Sequence, residues 1–288
     1  MDNSQFKTVV TAKHSLFDLH LKETFEYRDL IFLFVKRDFV AKYKQTILGP
    51  AWAIIQPLLS TVVFTIVFGS LAKLTNLDVP GDYAIPGFLF YMTGNVCWSY
   101  FSQVLTETSN TFIENSATMG KVYYPRLVTP IATACSNLIA FAIQFVMLII
   151  LWLIFIIIGG TSIRVTPWLL MIPLCILQLI VTSVGTGIII SSMTTKYRDL
   201  RLLVTFCVEL WKYACPIAYG LCLIPSKWIG LYMLNPVSPV ITTFRYALFG
   251  FGYFNLASYL IGWVISILLF TVGILMFSKV EKNFMDTI

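Results

Sequence analysis

The sequence predicts an all-α integral membrane protein with six transmembrane helices, an N-terminal amphipathic interface helix and short re-entrant helices before the last span. Three observations carry this. The chain of 288 residues is 58% hydrophobic and only 12% charged, whereas soluble domains average about 45–50% apolar and about 25% charged. Such a chain cannot cover a globule with polar side chains, so lipid is part of its solvent. The apolar residues fall in long continuous runs, without the period-two alternation of barrel strands. The basic residues sit beside those runs, as juxtamembrane charge does.

Taken in order, residues 1–20 are a polar tail, and residues 1–48 together form a cytosolic N-terminal region ahead of a transmembrane domain over 49–288. No signal peptide is recognisable in the polar first 30 residues. Within 22–45, Phe32, Val35, Phe39 and Tyr43 recur at helical spacing, with Lys36, Arg37, Lys42 and Lys44 around them. A helix lying in the membrane interface fits this pattern, with Lys36 snorkelling at its edge. A cytosolic helix packed on a partner is the alternative. Apolar stretches follow at 49–72, 84–106, 127–158, 167–193, 202–223 and 256–277, each reaching the roughly 20 residues that a bilayer needs.

An even number of spans places both termini on one side. Of the 20 Lys and Arg residues, only Lys73, Arg164, Lys227 and Arg245 fall outside when the N-terminus is cytosolic, with Lys212 inside the fifth span. The asymmetry places both termini in the cytosol. Between spans five and six, residues 224–255 are apolar yet punctuated by Pro225, Pro236 and Pro239, too broken for one helix. Two short re-entrant helices on the outer side fit, with an external loop bearing aromatic anchors as the alternative. Trp228 and Met233 can close an apolar constriction, Asn235 before Pro236 is a turn signal, and Lys227 and Arg245 can reach outer water or lipid phosphate.

Several chemistries are excluded. The two histidines, His14 and His20, lie in the tail, which rules out a histidine-based metal or catalytic site within the membrane. The six cysteines form no CxxC pair and read as small apolar residues. Gly120-Lys121 ends no phosphate-binding loop, because position 115 is Asn and position 122 is Val. Gly185-Thr186-Gly187 lies mid-span and reads as close helix packing. The basic charge follows the spans, so nucleic acid is not an expected partner.

Charged and aromatic residues at membrane depth are candidates for a transport path. Glu209 and Lys212 stand one turn apart in span five, able to neutralise each other or to line a path. Trp98, Tyr100 and Phe101 in span two, and Trp211, Tyr213 and Tyr219 in span five, offer faces on which sugars stack, or else ordinary packing and interfacial belts. Glu107, Glu114, Lys121 and Arg126 crowd the first inner loop.

Four patterns in order carry a family resemblance. They are Arg37-Asp38 through Lys42-Tyr43 to Gly49-Pro50-Ala51-Trp52; Gly120-Lys121-Val122-Tyr123-Tyr124-Pro125-Arg126; Lys196-Tyr197-Arg198-Asp199-Leu200; and Cys215-Pro216-Ile217 with Leu234-Asn235-Pro236 and Phe244-Arg245-Tyr246. From about residue 22 onward, the chain resembles the ABC-2 type permeases that export polysaccharides, the O-antigen, capsule and teichoic acid transporters. The resemblance implies a non-enzymatic permease of the bacterial inner membrane that works as a homodimer with two copies of a separate ATPase subunit. ATP and magnesium would then be bound by that partner and no cofactor by this chain. It also implies a lipid-linked polysaccharide substrate, most simply O-antigen on a polyprenyl diphosphate. An interface helix containing Arg37, Asp38, Lys42 and Tyr43 is implied, as is an ATPase-coupling segment with Glu114, Lys121, Tyr124, Pro125 and Arg126. The substrate path would hold Trp98, Tyr100, Phe101, Glu209, Lys212 and Tyr219, and the outer gate Trp228, Met233, Asn235, Pro236 and Arg245. Export of a drug or small lipid is the alternative within such permeases. A polyprenyl-lipid transferase is the alternative outside them, and it lacks the dense carboxylate cluster that a divalent metal requires.

The topology is directly testable. Single cysteines at Lys121 and Lys196, in a cysteine-free background, are expected to resist impermeant thiol reagents on intact cells, whereas those at Asp82 and Arg164 react. Labelling of position 121 from outside would overturn the orientation.

Overall fold

The computed structural model describes residues 24, 26–44, 46–72, 85–119, 124–158, 163, 165–195, 197 and 199–283. Every regular element among the described residues is helical. Helix α1 spans Arg28–Tyr43, α2 Trp52–Phe64, α3 Gly87–Ser109, α4 Thr111–Met119, α5 Val128–Ile158, α6 Ile172–Thr194, α7 Leu200–Tyr213, α8 Ser226–Met233, α9 Val237–Phe249 and α10 Leu256–Asn283. The expected Lys121, Lys196, Arg198, Asp82 and Arg164 positions lie outside the described residues.

Four helical stretches are long and apolar enough to cross a membrane: Gly49–Leu71, Val128–Ile158, Pro167–Thr194 and Leu256–Lys279. They match the expected first, third, fourth and sixth spans. The second, α3, is 23 residues long but less apolar, for a physical reason. It runs through the middle of the bundle, against α2, α5, α6, α7 and α9. Its neighbours are protein, so Thr93, Asn95 and Thr108 can be buried on it. The outward faces of α2, α5 and α10 instead expose Leu59, Val63, Ile150, Ile154, Val264 and Leu268. Polar groups inside and large apolar groups outside reverse the soluble pattern, as lipid solvent requires.

The fifth expected span, 202–223, is corrected. Helix α7 stops at Tyr213 after 14 residues, a rise of about 21 Å against the roughly 30 Å of a hydrocarbon core. The chain then turns through Cys215-Pro216-Ile217 and makes only a short 3₁₀ turn at Leu221–Leu223. Pro216 cannot continue a helix. Beyond it, the two short helices expected within 224–255 are present as α8 and α9, with Asn235-Pro236 as the turn between them. Asn235 Oδ1 accepts the Val237 amide at 3.3 Å, and Gly250 closes α9 in the left-handed conformation, φ 81°.

Small residues set the closest helix approaches. A methyl group at Gly185 of α6 would lie 2.7 Å from the Phe270 backbone nitrogen of α10, and one at Gly187 would lie 2.7 Å from Thr108 Cβ of α3. The Gly185-Thr186-Gly187 run is therefore the packing motif that the sequence suggested. Thr182 and Ser266 hydroxyls, 2.7 Å apart, add a hydrogen bond between α6 and α10.

Arg245 is a second correction. It does not reach outer water or lipid, being 5% exposed. Its guanidinium donates to the carbonyl oxygens of Phe90 at 3.1 Å, Ile217 at 2.9 Å and Pro216, and to Thr93 Oγ1 at 3.3 Å. It also lies 3.5 Å over the Phe90 ring. Gly94 leaves it room, since a Cβ there would fall 2.7 Å from Arg245 Nη2. Two carbonyls of the non-helical turn after α7, together with that of Phe90, hold the guanidinium better than a long reach to the surface would.

Arg245→Met leaves the Pro216 and Ile217 carbonyls without that donor, at about 1–3 kcal/mol for each buried acceptor, while the Phe90 carbonyl keeps the Thr93 hydroxyl. A fall in melting temperature of the detergent-solubilised protein is expected, with a smaller fall for Arg245→Lys, which keeps the charge but loses the planar fork. An unchanged melting point in the Met variant would remove the clamp from the folding account.

Candidate functional site: a polar groove and its charged rim

A groove of about 340 Å³ opens between α2, α3 and α7. Gln56, Pro57 and Ser60 come from α2; Asn95, Trp98, Ser99, Ser102, Gln103, Thr106 and Glu107 from α3; Thr205, Val208, Glu209 and Lys212 from α7. Positions 95, 98, 99, 102, 103 and 106 repeat at three and four residues, so they share one face of α3. On α7, residues 205, 208, 209 and 212 do the same. Hydroxyl and amide groups thus line a surface within the span of apolar helices. Some are oriented by local bonds: Asn95 Nδ2 donates to Thr61 Oγ1 at 3.2 Å, and Gln103 Nε2 to Ser99 Oγ at 3.2 Å.

The expected path residues separate into three groups. Trp98, Glu209 and Lys212 line the groove. Tyr100 and Phe101 do not, which corrects the expectation for both. Tyr100 is buried toward α5, its hydroxyl donating to the Ala134 carbonyl at 3.3 Å and its ring against Phe141 at 5.4 Å. Phe101 is fully buried and packs on Trp98 and Trp211. The side chains next to Trp98 in sequence leave α3 on other faces, a consequence of helical rotation. Tyr219 lies beyond the end of α7, its hydroxyl donating to the Tyr213 carbonyl at 2.9 Å and 2.7 Å from the Tyr232 hydroxyl. Glu209 and Lys212 form no ion pair with each other among the described residues. Lys212 Nζ instead lies 4.6 Å over the Phe64 ring.

Next to the groove, Trp211, Ala214, Trp228, Leu231, Tyr232 and Asn235 surround a hollow of about 440 Å³. Trp228 is 59% exposed there. Asn235 is a bracket: Oδ1 accepts Trp211 Nε1 at 3.2 Å, and Nδ2 donates to the Ala214 carbonyl at 3.2 Å. Met233 is buried, as is Pro236 at the start of α9.

The other end of the groove reaches a charged rim. Lys42 of α1 contacts Glu107 Oε1 at 2.6 Å and Asn137 Oδ1 at 2.9 Å, while Asn137 Nδ2 donates to Glu107 Oε2 at 2.6 Å. Glu107 lines the groove and also a pocket of about 460 Å³ under α1, shared with Arg37, Asp38, Glu114 and Asn115. This triad joins α1, α3 and α5, and Asn137, an amide inside an apolar run, carries no signal in the sequence that marks it for this role. Arg37 contacts Asp38 at 2.8 Å, and Arg201 at the start of α7 contacts Glu114 at 3.3 Å.

On α1, the residue that buries is Phe34, edge-on to the buried Tyr124 at 5.6 Å. Phe32 is 74% exposed, and Tyr43 packs on Phe39 at 5.0 Å between ring centres. Pro125 is buried and Arg126 half-buried, so Tyr124-Pro125 supports α1 rather than standing free; Lys121 lies outside the described residues.

The Glu114 carboxyl sits above its usual range, first because partial burial disfavours its charge, then because Glu107 and Asp38 are near, with Arg201 opposing. A carboxyl raised in the folded state favours folding below the ordinary carboxylate pKa of about 4.3. That contribution is lost as pH rises through the folded value. Glu114→Gln is therefore expected to gain stability relative to the natural protein as pH rises from about 4 to about 7, read as paired melting curves. Parallel curves would contradict the assignment.

The ABC-2 type transporter family model matches residues 29–249, which include α1 through α9. Two Klebsiella pneumoniae proteins, both named O-antigen export system permease protein RfbA, are 27% identical over 258 and 259 residues, covering 90% of this chain and 94% of each relative. A Myxococcus xanthus protein of the same name is 24% identical over 229 residues, covering 78% of this chain and 82% of the relative.

Proposed function

Since this chain belongs to the ABC-2 type transporter family, we propose that it is the permease of an ATP-driven exporter that moves lipid-linked O-antigen across the bacterial inner membrane. The observation that carries the reading is the polar groove between α2, α3 and α7. A bundle bathed in lipid has no structural need for a wall of Ser, Asn and Gln; a hydroxyl-rich polymer in transit does. The names of the relatives support the choice of polymer.

In this reading two copies of the chain face each other, so that two grooves form one path, and two copies of a separate ATPase bind from the cytosol with their ATP and magnesium. Both termini are cytosolic. Six crossings are reached with α3 in the bundle's centre and α7 extended by the 214–223 segment. Helices α8 and α9 dip in from the outer side and seal the path when idle, with Trp228 at the free edge and Asn235 and Arg245 fixing the base. Sealing matters because each charge leaking down the membrane potential dissipates about 2.3 kcal/mol per 100 mV.

Coupling runs through α4 and α1. Arg37 of α1 donates to Asn115 of α4, Arg201 of α7 contacts Glu114 of α4, and Lys42 of α1 contacts Glu107 of α3, so a push on α4 reaches both sides of the groove. Sugar rings stack on Trp98 and in the Trp211–Trp228 hollow, through many weak contacts rather than one tight site.

Surface O-antigen in an exporter-deficient host tests this reading. Co-expression of this chain with its ATPase is expected to restore it. Glu114→Lys or Arg126→Glu is expected to leave the permease in the membrane and ATP hydrolysis running while export falls at least tenfold. Export at the natural rate in both variants would take α4 and its loop out of the mechanism.

A further inference from the structure

Resting on the groove as the export path, we propose that it selects an uncharged glycan, so that polymers carrying a carboxylate or phosphate in each repeat are poor substrates. The wall is built from Gln56, Ser60, Asn95, Ser99, Ser102 and Gln103. Amides and hydroxyls both donate and accept, as sugar hydroxyls do, so they can exchange partners while a chain slides. None of them compensates a charge.

The ionised groups do not change this. Glu107 is committed to Lys42 and Asn137 by its two oxygens. The remaining groove charges, Glu209 and Lys212, are one of each sign, so their sum is zero. Lys212 is further engaged over the Phe64 ring. Among the described residues, the groove lining includes no arginine, the side chain whose planar fork suits carboxylate and phosphate.

A polyanion entering this groove would give up water around every repeat. Attraction between opposite charges falls off with distance, so it compensates an anion only where a cation stands close by. Lys212 can supply that attraction once, and Glu209, one turn away, opposes it. An anionic polymer thus loses hydration at each repeat without a matching partner, whereas a neutral one exchanges hydrogen bonds for hydrogen bonds.

The test uses the natural chain co-expressed with its ATPase in an exporter-deficient host. The host makes one of two polyprenyl-diphosphate-linked polymers of matched length: a mannose homopolymer, or the same backbone with one hexuronic acid in each repeat. Surface polymer per permease molecule is measured by gel and antibody. Export of the neutral polymer is expected to exceed that of the acidic one at least tenfold. Ser102→Lys and Glu209→Gln, which each add one positive unit to the groove, are each expected to narrow that ratio at least threefold. Equal export of both polymers by the natural chain would overturn the charge selection and leave the export function standing. Export of neither, with the complex assembled in the membrane, would overturn the export function and the selection with it. If Ser102→Lys does not accumulate, the natural ratio and Glu209→Gln decide.

Discussion

A helix broken inside a membrane protein must find partners for the backbone groups that it frees, because lipid offers none. Here the break follows α7 at Cys215-Pro216-Ile217, and Arg245 answers it by donating to the carbonyls of Pro216 and Ile217 while also holding Phe90 and Thr93 of α3. The rest of the architecture depends on that clamp. It fixes the end of α7 to the middle of the bundle, sets where α8 and α9 begin their return, and thereby places the α7 wall of the groove opposite α3. Asn235 reinforces the same junction from the α8–α9 turn, through Trp211 and the Ala214 carbonyl.

The groove and its rim are joined by chemistry rather than by proximity alone. Glu107 ends the polar stripe of α3, and it is also the acid to which α1 is tied through Lys42. A movement of α1 against α5 therefore disturbs the Lys42–Glu107–Asn137 triad. Lys42 and Glu107 are both partly exposed, so the pair is screened and exchangeable. The Arg245 clamp, in contrast, is buried. The molecule keeps a buried junction and an exposed one, at opposite ends of α3.

The groove is weakly polar and balanced in charge. Under the proposed export function, tight binding at any one repeat of a polymer would slow the next step. Hydroxyl and amide walls would avoid this, because each contact released is replaced by an equivalent one. The neighbouring Trp211–Trp228 hollow would extend the same logic with stacking.

Composition and run length alone determined the all-helical membrane class, because the balance between apolar run and hydrocarbon thickness is local to each segment. Four spans, the pair of short helices before the last one, the Asn235-Pro236 turn and the glycine packing of α6 were legible for the same reason. The sequence also nominated Trp98, Glu209 and Lys212 for the path, since charge and a large aromatic at membrane depth are conspicuous. Only the tertiary structure decided that Tyr100 and Phe101 turn away into the core, that Arg245 is buried, that α7 stops at Tyr213 and that Asn137 completes the triad with Lys42 and Glu107. These outcomes depend on which face of α3 meets α5, α7 or the groove, and on where freed carbonyls gather. Helix–helix orientation is set by contacts between residues distant in sequence, and no local pattern of hydrophobicity encodes it.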